Sequence, residues 1–475
     1  MKKFLTLLVL VSLFLFYSCL IQKNSRQALY DLQQQPDDSY KMDSVLTLPG
    51  NKSLEGNADS GYKYLLQGEI FSSGIPYSLY RFLFDTKARK AITLAGYNKY
   101  EVNDFAVFKS GQMLAAPGCL HCHAQTFNGE LVIGLGNSYS KFQVNYMKYL
   151  KPGRFVFQLL YGKKSKAWKN VENFYKGGLV VAPRVVLEMQ GPNPAHRIGN
   201  VMASHRDPVT LEFSADTSYF LVSPAAVPTD IPAWWLAKKK NAWTSDALAQ
   251  GNPAKQFMLS SLLTLNDTLE AANIYRMMKD IWAYLQTLEP PKYPYPINKE
   301  LAEKGKLIFN NNCSSCHGTY DNDDFYPNKL IPEWMIGTDS LLLKYYSVYK
   351  GYEEWYNKSW FANSYQPAFA KPQYGYVAQP LDGIWVTAPY FHNGSVPTLE
   401  AVLNSKLRPQ YWKRNFNKQE YDYKKVGWKY KSLRKAGSKK TYDTDIPGYG
   451  NYGHYYGDKL TEAERKAVIE YLKTL

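Results

Sequence analysis

The sequence predicts a mainly α-helical protein built from two similar domains, with long, irregular, aromatic-rich loops and a stiff linker between the halves. Three observations predict it. The pentapeptide C-x-x-C-H occurs twice, as Cys119-Leu120-His121-Cys122-His123 and Cys313-Ser314-Ser315-Cys316-His317. Each copy is followed at a similar distance by an amphipathic helix with almost the same ending, Tyr284-Leu285-Gln286-Thr287-Leu288 and Tyr471-Leu472-Lys473-Thr474-Leu475. Four prolines fall within Pro290–Pro296 between them, which is stiff and extended chain.

The elements follow in chain order. Lys2 and Lys3 precede an apolar stretch from Phe4 to Tyr17 that is too short to span a bilayer, so residues 1–19 read as an export signal. It ends in Ser18-Cys19, similar to a bacterial lipoprotein box, and Cys19 is the expected lipidation site; a plain signal peptide with an incidental Cys is the alternative. The mature chain is then expected on the periplasmic side of a bacterial membrane, anchored by lipid through a polar tether over 20–61. The first domain covers 62–290. Its opening helix is expected near Val102 to Ala115, and its closing helix runs from Tyr275 to Leu288 with Met277, Met278, Ile281, Trp282 and Leu285 at helical spacing. After the linker at 291–297, the second domain covers 298–475. It opens with a helix from Lys299 to Phe309, Leu301, Gly305 and Ile308 sharing a face, and closes with a helix begun by the capping box Thr461-Glu462-Ala463-Glu464.

Cysteine usage identifies the chemistry. With Cys19 set aside, four Cys remain, and in an exported protein the default would be two disulfides. The pentapeptides say otherwise. C-x-x-C-H is the attachment signal for c-type haem: two thiols bond the vinyl groups of one porphyrin and the adjoining His turns to the iron. Zinc would draw all four Cys into one site and give no reason for a His after each pair. Two covalently bound c-type haems (iron) are therefore expected, on Cys119, Cys122 and His123 and on Cys313, Cys316 and His317, and each domain looks like a small c-type cytochrome.

The second axial position of each iron sorts the function classes. Beyond His317 the candidates are His454, just before the closing helix, and His392; Met335 lies too close in sequence to cross to the other face. A His/His iron is a carrier of electrons with no room for substrate. For the first haem the candidates are Met189, His196, Met202 and His205, and if none binds, that iron is open. His121, inside its own motif, cannot reach across. The chain carries 57 Lys+Arg against 41 Asp+Glu. The basic residues are spread along it, so nucleic acid is not expected, whereas an acidic redox partner or anionic headgroups fit the charge.

Residues Leu381-Asp382-Gly383-Ile384-Trp385-Val386-Thr387-Ala388-Pro389-Tyr390-Phe391-His392-Asn393-Gly394-Ser395-Val396-Pro397-Thr398-Leu399 closely resemble a segment of the di-haem cytochrome c peroxidase superfamily. The rubber oxygenase-like branch is nearest, through the Gly-Ile-Trp opening, Asp422 to Gly427, Gly448 to Gly457, and Pro232-Ala233-Trp234-Trp235 followed by Lys238, Lys239 and Lys240. The resemblance is strong over 225–475. It implies a reactive N-terminal haem on His123, a C-terminal haem on His317 that stores or relays an electron, and Trp234 or Trp235 as the bridge between them. The chain departs from the peroxidases in having no Met after Met335, and it is shorter than the rubber oxygenases, with nothing that marks a polyisoprene channel. The expected function is a di-haem oxidoreductase using dioxygen or peroxide, with a small cytochrome or cupredoxin as electron partner. The alternative is a non-catalytic electron carrier with both haems six-coordinate.

Overall fold

The computed structural model describes residues 25–36, 40–50, 54–67, 70–77, 106–109, 113–320 and 324–475. The signal segment and Cys19 lie outside them. Helices dominate, joined by long loops and by short two- and three-stranded antiparallel ladders. The helices that organise the fold are α1 (25–34), α2 (Ala58–Gln67), α3 (Met147–Tyr161), α4 (Lys166–Val181), α5 (Ala195–Ser204), α6 (Thr268–Leu285), α7 (Lys299–Asn312), α8 (Leu341–Val348) and α9 (Glu462–Leu472). Among the described residues no helix is long and apolar enough to cross a membrane.

Two helix pairs frame the two C-x-x-C-H motifs. In the second, α9 starts on a complete Thr461–Glu464 capping box and buries Ala467, Val468, Ile469, Tyr471 and Leu472. Its partner α7 presents Ala302, Gly305 and Phe309 at intervals of three and four. Gly305 sets the approach: a Cβ there would lie 1.9 Å from the Ala467 carbonyl oxygen. Gly305→Ala is therefore expected to cost about 3 kcal/mol, the upper part of the overpacking range. Gly437→Ala, where a Cβ meets nothing within 4 Å, should change stability by under about 1 kcal/mol. Equilibrium urea unfolding of the two variants checks the contrast.

The first pair is α2 on α6. Asp267 caps α6, whose buried stripe is Ala271, Ile274, Met278, Ile281 and Leu285. Gly61 of α2 sits where a Cβ would be 2.0 Å from the Asp280 carbonyl oxygen, the counterpart of Gly305. The opening helix of this half is thus α2 and not the segment near Val102 to Ala115. There Ala106–Lys109 and Met113–Ala116 form an antiparallel ladder, and Met113–Ala116 also pairs with Ile75–Pro76; residues 102–105 lie outside the described residues. Leu114, Ala115 and Ala116 are all fully buried, and a central buried strand needs an unbroken apolar run that periodicity alone does not separate from a helix.

The expected tether also folds onto the body. Helix α1 buries Ala28, Leu29 and Leu32, and Met42 and Leu48 are buried beyond it. Leu46–Thr47 pairs with Lys329–Pro332, and Arg26 bonds Glu188 at 3.1 Å. Its apolar residues are few and set among Gln, Asp and Lys, which hid the pattern. The linker separates the two helix pairs but not the packing. Helix α8 and Tyr352, Tyr356, Tyr376, Tyr442 and Tyr449 belong to the larger core together with α2, α4 and α6, while the smaller core joins Phe127 and Trp235 to α7, α9 and residues 385–428. The linker lies on that smaller core, the Trp385 indole donating to the Pro291 carbonyl at 2.9 Å.

Candidate haem sites

Helix α7 runs straight into the second motif. Cys313 ends α7, its N–H donating to the Phe309 carbonyl at 2.7 Å, and the next turn carries Cys316 and His317. His317 Nδ1 is 2.7 Å from the Gln379 carbonyl oxygen. A carbonyl only accepts, so Nδ1 holds the proton and the Nε2 lone pair is left for a metal.

The ring facing His317 is His454, at 6.2 Å between ring centres. Two imidazole–metal bonds of about 2 Å, with ~1 Å more from each nitrogen to its ring centre, span about 6 Å. The gap fits an iron held between the two rings. Burial pushes His454 down to about 3, with the facing His317 and the Arg408 guanidinium acting in the same direction. Burial also lowers His317, against the opposing effect of its bond to Gln379. Both rings are thus in the neutral, ligating form.

The 448–454 loop is held in place from several sides. Asp339 Oδ2 accepts the Gly448 and Gly450 N–H groups at 3.0 Å each, and Asn393 Nδ2 donates to the carbonyls of the same two glycines. Arg408 donates to the carbonyls of Asn451, Gly453 and His454. Gly453 has φ +82° and lies so close to Gly337 that a Cβ would be 2.5 Å from its backbone, which leaves His454 at φ +49° pointing inward. His392, the other sixth-ligand candidate, is placed elsewhere. Its ring stacks on Tyr376 at 4.2 Å, its Nε2 is 3.2 Å from the Tyr376 hydroxyl, and its carbonyl accepts the Asp230 N–H. Met335 is substantially exposed.

At the first motif the helical turn Cys119–His123 is fixed by its own following hairpin. The Gly134 N–H donates to the His123 carbonyl, the Asn137 N–H to the Cys122 carbonyl, and Asn137 Nδ2 to the His121 carbonyl, all between 2.8 and 2.9 Å. The Trp234 N–H donates to the Gly134 carbonyl, which brings the Trp234 ring parallel to His123 at 4.5 Å. Asn193 Nδ2 reaches Cys122 Sγ at 3.1 Å. Three buried polar atoms around this turn lack partners: His123 Nδ1, Trp234 Nε1 and Asn193 Oδ1. Buried polar atoms are normally satisfied, and such a cluster beside two thiols fits a large group with polar edges such as a porphyrin.

The four thiols are free. Burial pushes Cys119 up to about 12 and Cys122 and Cys313 up to about 11.

Trp234 and Trp235, both fully buried, point into different cores. Trp234 covers His123. The Trp235 indole donates to the Asp382 carbonyl at 2.8 Å; the Asp382 carboxylate pairs with Lys239 at 2.8 Å, and Lys239 lies over the Tyr320 ring at 4.8 Å. The Tyr320 hydroxyl donates to the His317 carbonyl. Adjacent residues thus touch the surroundings of both motifs.

All seven His are among the described residues. Of the first-haem candidates, Met189 and Met202 are packed in the larger core, and His205 Nδ1 bonds the Ser214 carbonyl at 3.0 Å. His196 differs. It lies in the first turn of α5, its ring edge-on to Tyr345 and Tyr346, and both ring nitrogens are buried without a partner. Sequence reasoning missed Gln379, Arg408 and Asn193. The first acts through its backbone and the second through loop carbonyls, neither of which leaves a motif; Asn193 stands in the Met189–His196 run that drew attention for its Met and His.

Residues 375–413 match the family described as RoxA-like, cytochrome c-like. The chain therefore carries a cytochrome c-like domain, and with it a c-type haem. A stretch of 111 residues is 44% identical to "Uncharacterized protein y4iJ" of Sinorhizobium fredii, covering 21% of this chain and 18% of that protein. A stretch of 238 residues is 28% identical to "Uncharacterized protein y4iM" of the same organism, covering 45% of this chain and 52% of that protein. The chain thus spans under a fifth of the first relative and about half of the second.

Proposed function

We propose that the chain is a di-haem c-type cytochrome and an oxidoreductase of the di-haem cytochrome c peroxidase superfamily, in which the two haems have different tasks. The observation that carries this reading is the asymmetry of the two motif histidines: His317 faces a second imidazole at 6.2 Å, whereas His123 stacks on an indole at 4.5 Å. When bound, a c-type haem supplies one-electron chemistry, and one with an open axial position also takes a small oxidant, here dioxygen or peroxide.

The residues divide the work accordingly. Cys313, Cys316, His317 and His454 would hold the haem that stores an electron, with Gln379 fixing the His317 tautomer and Arg408 shaping the His454 loop. Cys119, Cys122 and His123 would hold the reactive haem, with Trp234 on its axial ligand. Trp234 and Trp235, consecutive and fully buried, offer a short aromatic route between the two environments. Export to the periplasmic side, lipidation at Cys19, and a small cytochrome or cupredoxin as partner belong to the same reading.

One observation favours the second reading, an electron carrier with both irons six-coordinate. His196 is the one His for which both ring nitrogens are buried without a partner among the described residues. Ligand binding separates the two. With cyanide added to the oxidised protein and carbon monoxide to the reduced protein, the enzyme reading expects one of two haems to respond in the unmodified chain. The carrier reading expects neither to respond until His196→Ala opens the first.

A further inference from the structure

We infer that helix α3 and the turn after it form a membrane-surface docking face that inserts into a bilayer rich in anionic headgroups. Helix α3 is amphipathic in an inverted sense. Phe157 is 3% exposed and packs against Trp168 of α4, and Gly153 lies against Tyr175 of α4, so this side holds the helix to the body. The outward side carries Tyr149, Phe155, Val156, Leu159 and Leu160, between 48% and 73% exposed. At 100° per residue these side chains and Pro152 share an arc of about 140°, a continuous apolar stripe about 20 Å long. Scattered exposed apolar residues are ordinary, but a stripe of this size on one helix marks an interaction surface.

Charge identifies the occupant. No Asp or Glu occurs between Glu130 and Glu172, while Lys141, Lys148, Lys151, Arg154, Lys163, Lys164, Lys166 and Lys169 all do. All eight are exposed. At the same spacing Lys148 stands at the start of the stripe, Lys151 borders one edge, Arg154 extends the basic side beyond Lys151, and Lys163 and Lys164 follow its end. A large apolar face with cations at one edge and both ends, in a segment without an acid, is the arrangement of a helix lying flat in the headgroup region, with Lys and Arg stems reaching back to the phosphates. A water-soluble partner would be expected to meet such a stripe with a matching groove and a mixed rim. The bilayer needs neither. This face is independent of what either haem does, and independent of a lipid on Cys19.

The test uses the full haem-loaded chain carrying Cys19→Ser, so that lipidation plays no part. It is sedimented with vesicles of phosphatidylcholine containing phosphatidylglycerol, and with vesicles of phosphatidylcholine alone. Binding to the anionic vesicles is expected, weakening with added salt and with the neutral vesicles. Phe155→Ser with Leu159→Ser should weaken it by about tenfold or more, as should Lys148→Glu with Lys151→Glu and Arg154→Glu. All these side chains are exposed, and an unchanged Soret band and circular dichroism spectrum verify the fold. Absence of vesicle binding, or binding that ignores the Phe155 and Leu159 changes, overturns the proposal. So does a unmodified face that holds two copies together, seen as a dimer that the same variants dissociate.

Discussion

Replacing His454 by Ala should convert the second haem from low-spin to high-spin while both haems stay covalently attached. On the proposed reading haem would be attached through thioethers at Cys313 and Cys316, which do not depend on the sixth ligand, so a haem count by pyridine haemochrome should not change. The spectrum should, because His454 faces His317 at 6.2 Å and has its backbone N–H pinned to the Ile336 carbonyl at 2.8 Å. The same haem should then bind carbon monoxide when reduced. His392→Ala is the control. Its ring is stacked on Tyr376, and its loss should leave the second haem low-spin. Loss of the low-spin signal in His392→Ala and its survival in His454→Ala would reverse the assignment.

The second large effect is expected at Trp234. The side chain is fully buried, and Trp234→Ala removes a core indole at a cost of about 3–5 kcal/mol. That is a large share of a total stability of about 5–15 kcal/mol, so thermal unfolding should shift strongly downward. Trp234→Phe separates packing from function. It keeps most of the buried area and an aromatic face toward His123, and it removes the unpartnered indole Nε1–H. If the indole is part of the route between the haems, Trp234→Phe should slow the redistribution of electrons after flash reduction while stability stays near that of the unmodified chain. Equal inter-haem rates in the two proteins would assign Trp234 a packing role alone.

The parts of the fold legible in the sequence were those with a local signature. The α9 capping box and the α6 and α7 stripes are contained within single helices, and Gly305 stands out as the small residue on an otherwise apolar face. The two C-x-x-C-H motifs, and His454 in its glycine-rich loop, carry chemistry that few other residue patterns share. What escaped is contributed from a distance. Helix α2 is short and polar, and only the backbone of α6, over 200 residues away, makes Gly61 meaningful. Met113–Ala116 is apolar throughout because it is the central strand of its ladder and both its faces are packed in the larger core. The His454 loop is shaped by Asp339, Asn393 and Arg408, from three separate segments, and the His317 tautomer by a backbone carbonyl, which has no letter in a sequence.

The division of tasks between the two sites is read directly by the electron paramagnetic resonance spectrum of the oxidised protein, taken with a haem count on the same sample. Two haems per chain are expected, one low-spin from His317 and His454, and one high-spin at His123. A single haem per chain, or two low-spin signals that are unaffected by cyanide, would contradict the division of tasks between the two sites.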